Sequence, residues 1–135
     1  MIQPSPNDDM LERIQRDTFA YFLDQTNSAN GLVFDRAEDG APASIAVVGF
    51  ALAAYPVAVE RGFWSRAETV SLTLTTLRFF WNSPQGTEPD ATGYKGFYYH
   101  FLDMQSGRRV WECELSTIDT TFLLAGMLTA AAYFD

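Results

Sequence analysis

Apolar positions recur along this chain in two different ways, and the difference sorts its segments. From Asp9 to Asp24, Leu11, Ile14, Thr18, Tyr21 and Phe22 fall at three- and four-residue steps, with Glu12, Arg13, Arg16 and Asp17 between them. That spacing predicts a helix with one buried face. From Ser44 to Arg61 the residues are apolar on nearly every side, which predicts a helix buried all round. It starts just after Pro42 and stops at Gly62, its small residues (Gly49 and the alanines) permit close helix contact, and Pro56 is expected to kink it near Leu52. Ser65-Arg66-Ala67-Glu68 reads as a capping box opening a third helix to about Asn82. There Ala67, Val70, Leu74, Leu77 and Trp81 form the expected buried stripe. A fourth helix, from Thr117 to at least Tyr133, is again apolar nearly all round.

The order is one-faced, buried, one-faced, buried, and the joins are long, short, long. A four-helix bundle has one-faced helices and short joins, so it does not fit. The pattern predicts an all-α fold, the N-terminal part of an (α/α)6 toroid. In it an outer helix leads through a long loop to an inner helix. Residues 25–43 and 83–115 then lie on one rim, which is the expected functional face. Residues 1–8, polar with two prolines, read as a flexible lead-in to a domain portion spanning 9–135. The chain supplies two helix pairs, and a six-pair toroid needs roughly three times this length. A C-terminal remainder of the domain is therefore expected, with an exposed apolar face on helices two and four where it is missing.

Between Gly93 and Thr121 the alternation changes to a two-residue step. Phe97–Asp103 and Arg108–Leu115 read as the two strands of a β-hairpin inserted in the second rim loop, turning at Gln105-Ser106-Gly107. Ser116-Thr117-Ile118-Asp119 then opens the fourth helix. The stretch holds the single His and the single Cys of the chain.

Composition narrows the functions. The net charge is −8 and no basic cluster exceeds Arg108-Arg109, which argues against nucleic acid as a partner. One cysteine excludes an internal disulfide, and no metal-ligand spacing is present, so neither metal nor cofactor is expected. The N-terminus carries no visible signal peptide. The longest apolar run, Ile45 to Val59, is too short to span a bilayer and contains Pro56, so no membrane association is expected. The compartment is left open. Aromatic residues make up 15% of the chain and crowd the loops, which suits a groove for sugar-like or planar ligands as well as a core.

Asp35-Arg36 after GLVF, SIA-x-x-GF, ERG-x-x-SRAE, TLRFFWN, GYKGF-x-YHFLDM-x-x-GRR and ELSTIDT-x-x-LLAGML together resemble the glycoamylase-like family of bacterial proteins. Those proteins are related to β-1,2-glucan-degrading enzymes and to a domain of cyclic β-1,2-glucan synthases. The likeness spans about residues 10–135. It implies an (α/α)6 toroid acting on an oligo- or polysaccharide, with β-1,2-glucan favoured, in a bacterial periplasm or cytoplasm.

Glycoside hydrolysis needs two carboxyl groups across the scissile bond. Glu114, at the hairpin exit, and Asp119, in the first turn of an inner helix, are the best pair. An apolar setting beside Trp111, Tyr99 and Phe97 is expected to raise a carboxyl pKa enough to keep a proton donor charged with its proton. The competing reading of Asp119 is that it merely caps the helix with Ser116. Asp35, Arg36, Lys95, Tyr99, His100 and Trp111 are the candidate substrate-binding residues. Each has a structural alternative: a local ion pair for Asp35-Arg36, a satisfied strand residue for His100, core packing for Trp111. Cys113 reads as a small buried residue and Asp103 as a turn residue. The alternative to an enzyme is a non-catalytic helical module that binds glycans or a protein; a toroid lyase or cyclase is a third.

Overall fold

The computed structural model describes residues 6–135. Four helices carry the chain: α1 (Pro6–Asp24), α2 (Ile45–Glu60), α3 (Arg66–Asn82) and α4 (Thr117–Phe134). Five very short strands lie in the two long connections: β1 (Ala43–Ser44), β2 (Gly93–Tyr94), β3 (Phe97–Tyr99), β4 (Phe101–Leu102) and β5 (Leu115–Ser116). The fold is thus mostly helical with a few strands. The lead-in expected over 1–8 is corrected in part: Pro6, Asn7 and Asp8 already belong to α1, and residues 1–5 lie outside the described residues.

The core is the seam between α2 and α4, which run side by side in the same direction. Phe122 packs on Phe50, with ring centroids 5.2 Å apart, and the Tyr133 hydroxyl bonds Glu60 near the other end. Two glycines let the backbones touch. A Cβ on Gly49 would lie 2.3 Å from the Phe122 carbonyl oxygen, and one on Gly126 would lie 2.1 Å from that of Gly49. No larger residue fits either place without parting the helices. Ile45, Val48, Leu52, Leu102 and Leu123 fill the space around this crossing.

Three helix faces depart from the apolar pattern. In α1, Phe19 is buried, but Leu11 and Ile14 are exposed, because among the described residues no element covers them. In α3 the buried face is Thr69, Thr73, Thr76 and Phe80, one residue out of phase with the expected stripe; Leu74 is exposed and Trp81 is 88% exposed. Threonine makes this possible. The hydroxyls of Thr69 and Thr76 donate to the carbonyls four residues back, Ser65 and Leu72, at 2.6 and 2.9 Å. Their polar atoms are satisfied within the helix and their methyl groups pack inward. In α4 only Thr120, Leu123, Gly126 and Ala130 are buried, while Ile118, Phe122, Leu124 and Leu128 are exposed. Within this chain, then, α4 is not buried all round and leaves an apolar face exposed. By length and composition α4 is also apolar enough to cross a membrane, a property that inspection of 45–59 alone does not reveal.

The two long connections meet at the ends where α2 and α4 begin. β1 pairs antiparallel with β4, Ala43 opposite Leu102 and Ser44 opposite Phe101. Asn27 and Asn30 both donate side-chain N–H groups to the Met104 carbonyl, at 2.8 and 2.9 Å. The expected hairpin is redrawn. Gly107 N–H does close a turn on Asp103, but the chain leaves the ladder after the single Leu102–Arg109 bridge. The true hairpin is β2–β3, turning at Lys95-Gly96 with φ of 51° and 85°. β5 then pairs with the outer side of β3, Tyr99 opposite Leu115. A two-residue turn with both φ positive matches strand twist, so it wins over the longer loop.

Candidate functional site

Backbone pairing holds His100 at the junction. It lies between β3 and β4, donates its N–H to the Glu114 carbonyl at 3.1 Å, and accepts from Ile45 N–H, the first residue of α2, at 3.2 Å. Its ring stacks on Phe101, centroids 3.8 Å apart and planes 14° from parallel. In that position Nδ1 lies 2.8 Å from Glu114 Oε1 and 3.6 Å from Asp119 Oδ2. A carboxylate can only accept, so Nδ1 carries the proton of the shorter contact.

Asp119 comes from the first turn of α4. Ser116 Oγ accepts from Asp119 N–H at 3.1 Å and donates to Asp119 Oδ2 at 2.6 Å, a closed capping pair. The same Oδ2 faces His100, so capping and membership of the cluster are not alternatives. The Asp119 side chain is 18% exposed, whereas that of Glu114 is 64% exposed. The carboxyl of Glu114 is held below the usual glutamate range, chiefly by its own backbone N–H and then by the hydrogen bond from His100. This corrects the expectation of an apolar, pKa-raising pocket. Glu114 stands in solvent, hydrogen-bonded in its charged form, and is ionised at neutral pH.

Trp111 is 67% exposed and meets Phe101 edge-on, centroids 5.7 Å apart. It lines a cavity of about 380 Å³ with Phe34, Pro42, Met104 and Val110, between the two long connections. Tyr99 lies beneath the Arg109 guanidinium, 4.3 Å from ring centroid to Cζ. The structure therefore joins His100, Glu114, Asp119 and, through Phe101, Trp111. Asp35, Arg36 and Lys95 have other partners. Arg36 pairs locally with Glu38, and more loosely with Asp35 at 3.8 Å. Lys95 is exposed at the β2–β3 turn, its Nζ 5.2 Å over Tyr94. Sequence reasoning passed over Phe101 and Arg109. The first was one aromatic among several, and the second read only as half of a basic pair.

His100, Glu114 and Asp119 offer donor atoms that all lie within 4.8 Å of one another, a set of the kind a divalent cation accepts. Residues 100, 114 and 119 form no ligand spacing in sequence, which is why no metal set was expected. In this arrangement the Nδ1 atom of that set is engaged by Glu114 at 2.8 Å.

No protein-family model matches the chain. It is 26% identical, over 98% of its length, to an exo β-1,2-glucooligosaccharide sophorohydrolase (non-reducing end) of Parabacteroides distasonis, of which it covers 18%. A putative glucoamylase of Bacteroides uniformis superposes with a TM-score of 0.74 at 27% identity, over 95% of this chain and 31% of that one. A β-1,2-glucanase of Parabacteroides distasonis shares the fold at a TM-score of 0.80 and 24% identity, over 100% of this chain and 19% of that one. The relatives are putative glucoamylases and β-1,2-glucan hydrolases, and this chain spans a fifth to a third of their length.

Proposed function

We propose that this chain forms the N-terminal helix pairs of an (α/α)6 toroid, residues 9–135, in a glycoside hydrolase or transglycosylase acting on a β-1,2-glucan. The carrying observation is the cluster of His100, Glu114 and Asp119 beside exposed Trp111, on the rim where α2 and α4 begin. The relatives' β-1,2-glucan activities support the substrate class.

The geometry favours one division of labour. The donor oxygens of Glu114 and Asp119 lie within 4.8 Å of each other. Paired glycosidase carboxyls stand about 5–5.5 Å apart in retaining enzymes and about 6.5–9.5 Å apart in inverting ones. Bridged by one imidazole, these two occupy the same side of a scissile bond. Glu114, ionised, is the acceptor of a proton from water or the attacking carboxylate, and His100 orients it. Asp119 fixes the imidazole from the helix side. The proton donor stands across the sugar and comes from another part of the toroid. Trp111 stacks against a glucosyl ring, and Asp35, Arg36, Lys95 and Tyr99 are proposed as outer contacts with sugar hydroxyls.

The test is cleavage of β-1,2-, β-1,3- and α-1,4-linked glucans by the full-length protein and its Glu114→Gln variant. Cleavage of the β-1,2 polymer by wild type and its loss in the variant is the expected result. Full activity in the variant removes Glu114 from the chemistry. The one-sided placement of the carboxylates also favours a second reading, a glycan-binding module; binding without cleavage of any glucan by the wild type would select it.

A further inference from the structure

Trp111 and Glu112 are consecutive non-glycine residues in the left-handed region, with φ of 57° and 52°. L side chains rarely adopt that backbone, and two in a row need an external hold. Arg109 supplies one. Its Nε donates to the Cys113 carbonyl at 2.6 Å, and its terminal NH2 donates to the Glu112 carbonyl. The guanidinium lies flat enough over Tyr99 for its carbon to sit 4.3 Å from the ring centroid. Tyr99 is itself fixed in β3, paired with β5. The root of Arg109 is anchored by its bridge to Leu102, and Val110 N–H donates to the Phe101 carbonyl at 3.2 Å. One planar fork thus takes the carbonyls of Glu112 and Cys113, the second of the strained pair and the residue after it, while strands hold both ends of the lever. The turn carries the exposed ring of Trp111 out over the cavity and delivers the chain to Glu114.

We infer that Arg109 is a positioning residue: its guanidinium locks the Trp111–Glu112 turn so that Trp111 presents a fixed stacking face to a glucosyl unit. The inference rests on the glucan reading for the identity of the ligand, and not for the brace itself. Lysine keeps the charge and much of the reach but has no fork, so Arg109→Lys isolates the geometry.

Two measurements on the full-length protein test it. The first uses 5-fluorotryptophan and 19F NMR without sugar. The resonance that disappears in Trp111→Phe belongs to Trp111. It is expected to be a single sharp line in wild type and to broaden or split in Arg109→Lys, with the other tryptophan lines unmoved as the check of folding. An unchanged Trp111 line overturns the brace, whatever the protein's substrate. The second is steady-state hydrolysis of a β-1,2-gluco-oligosaccharide. Arg109→Lys is expected to raise KM about tenfold with kcat within about twofold, as Trp111→Ala does. The double variant is expected to be no worse than either single one, because both remove the same platform. Additive losses, or a fall in kcat at constant KM, overturn the positioning role. Failure of the wild type to cleave or bind the sugar, with the NMR result as expected, defeats the glucan reading and leaves the brace standing.

Discussion

The two long connections occupy equivalent places and end differently. Each leaves a one-faced helix and ends in a short strand, β1 or β5, that delivers a serine to the start of an apolar helix: Ser44 before α2, Ser116 before α4. Three residues further on, α2 carries Val47 and α4 carries Asp119. Ser44 makes no side-chain cap bond, whereas Ser116 exchanges two hydrogen bonds with Asp119. In the first connection the charges, Asp35, Arg36 and Glu38, pair among themselves in solvent. In the second, Glu114 and Asp119 turn toward one imidazole. A helix start with a carboxylate at its third position, next to a histidine held between two strands, becomes a charged cluster; the same start without it becomes core. The rim is chemically one-sided.

The hardest test of that asymmetry is Glu114→Gln in the full-length protein. Activity on β-1,2-glucan is expected to fall by about 10²–10⁴, the usual worth of acid–base assistance. The melting temperature should hardly move, since the side chain is exposed. The next effect is structural. Gly49→Ala presses a methyl group on the Phe122 carbonyl and forces apart the two helices whose starts build the rim. Denaturant titration should show a loss of about 1–3 kcal/mol, typical of overpacking. Asp119→Asn comes third. Asparagine can still accept from the Ser116 hydroxyl, so a stability change below the ~1 kcal/mol of a cap is expected. A drop in activity without a matching loss of stability separates the imidazole contact from the cap.

A weaker signature is pH dependence. The folded pKa of Glu114 lies below its ordinary value of 4.5. Its stabilising contribution is therefore fully present above 4.5 and lost as pH falls through the depressed value. Melting curves across that acid window should converge for wild type and Glu114→Gln. The smallest effect belongs to the other connection. Arg36→Ala removes an exposed ion pair, worth under about 1 kcal/mol, and is expected to shift the melting temperature little. A tenfold loss of glucan affinity in that variant would make Arg36 more than an outer contact and the rim not one-sided.

Local features were legible in the sequence. Ser65 and Glu68 read as a capping box, and Glu68 N–H donates to Ser65 Oγ at 3.2 Å. The alternation of one-faced and apolar helices separated α1 and α3 from α2 and α4. Gly49 read as a point of close approach and is one. The phase of α3 was not legible. Val70, Leu74 and Trp81 are better hydrophobes than Thr69, Thr73 and Thr76, and nothing local reveals that Thr69 and Thr76 turn their hydroxyls back to the helix. The strand pairing was not legible either, because the partner of Phe101-Leu102 is Ala43-Ser44, far away along the chain.

By itself, then, the sequence determined what neighbours in the chain can settle: helix spans, caps, turns and the places where only glycine fits. It also marked Glu114, Asp119 and His100 as residues worth watching. Only the tertiary structure decided that they meet, that Glu114 stands in water with a lowered pKa, and that Trp111 is held outward. The reason is physical. Helix and turn preferences act over a few residues, but the solvation and charge around a carboxylate depend on which distant strand is brought against it. Here that was β1 against β4 and β3 against β5.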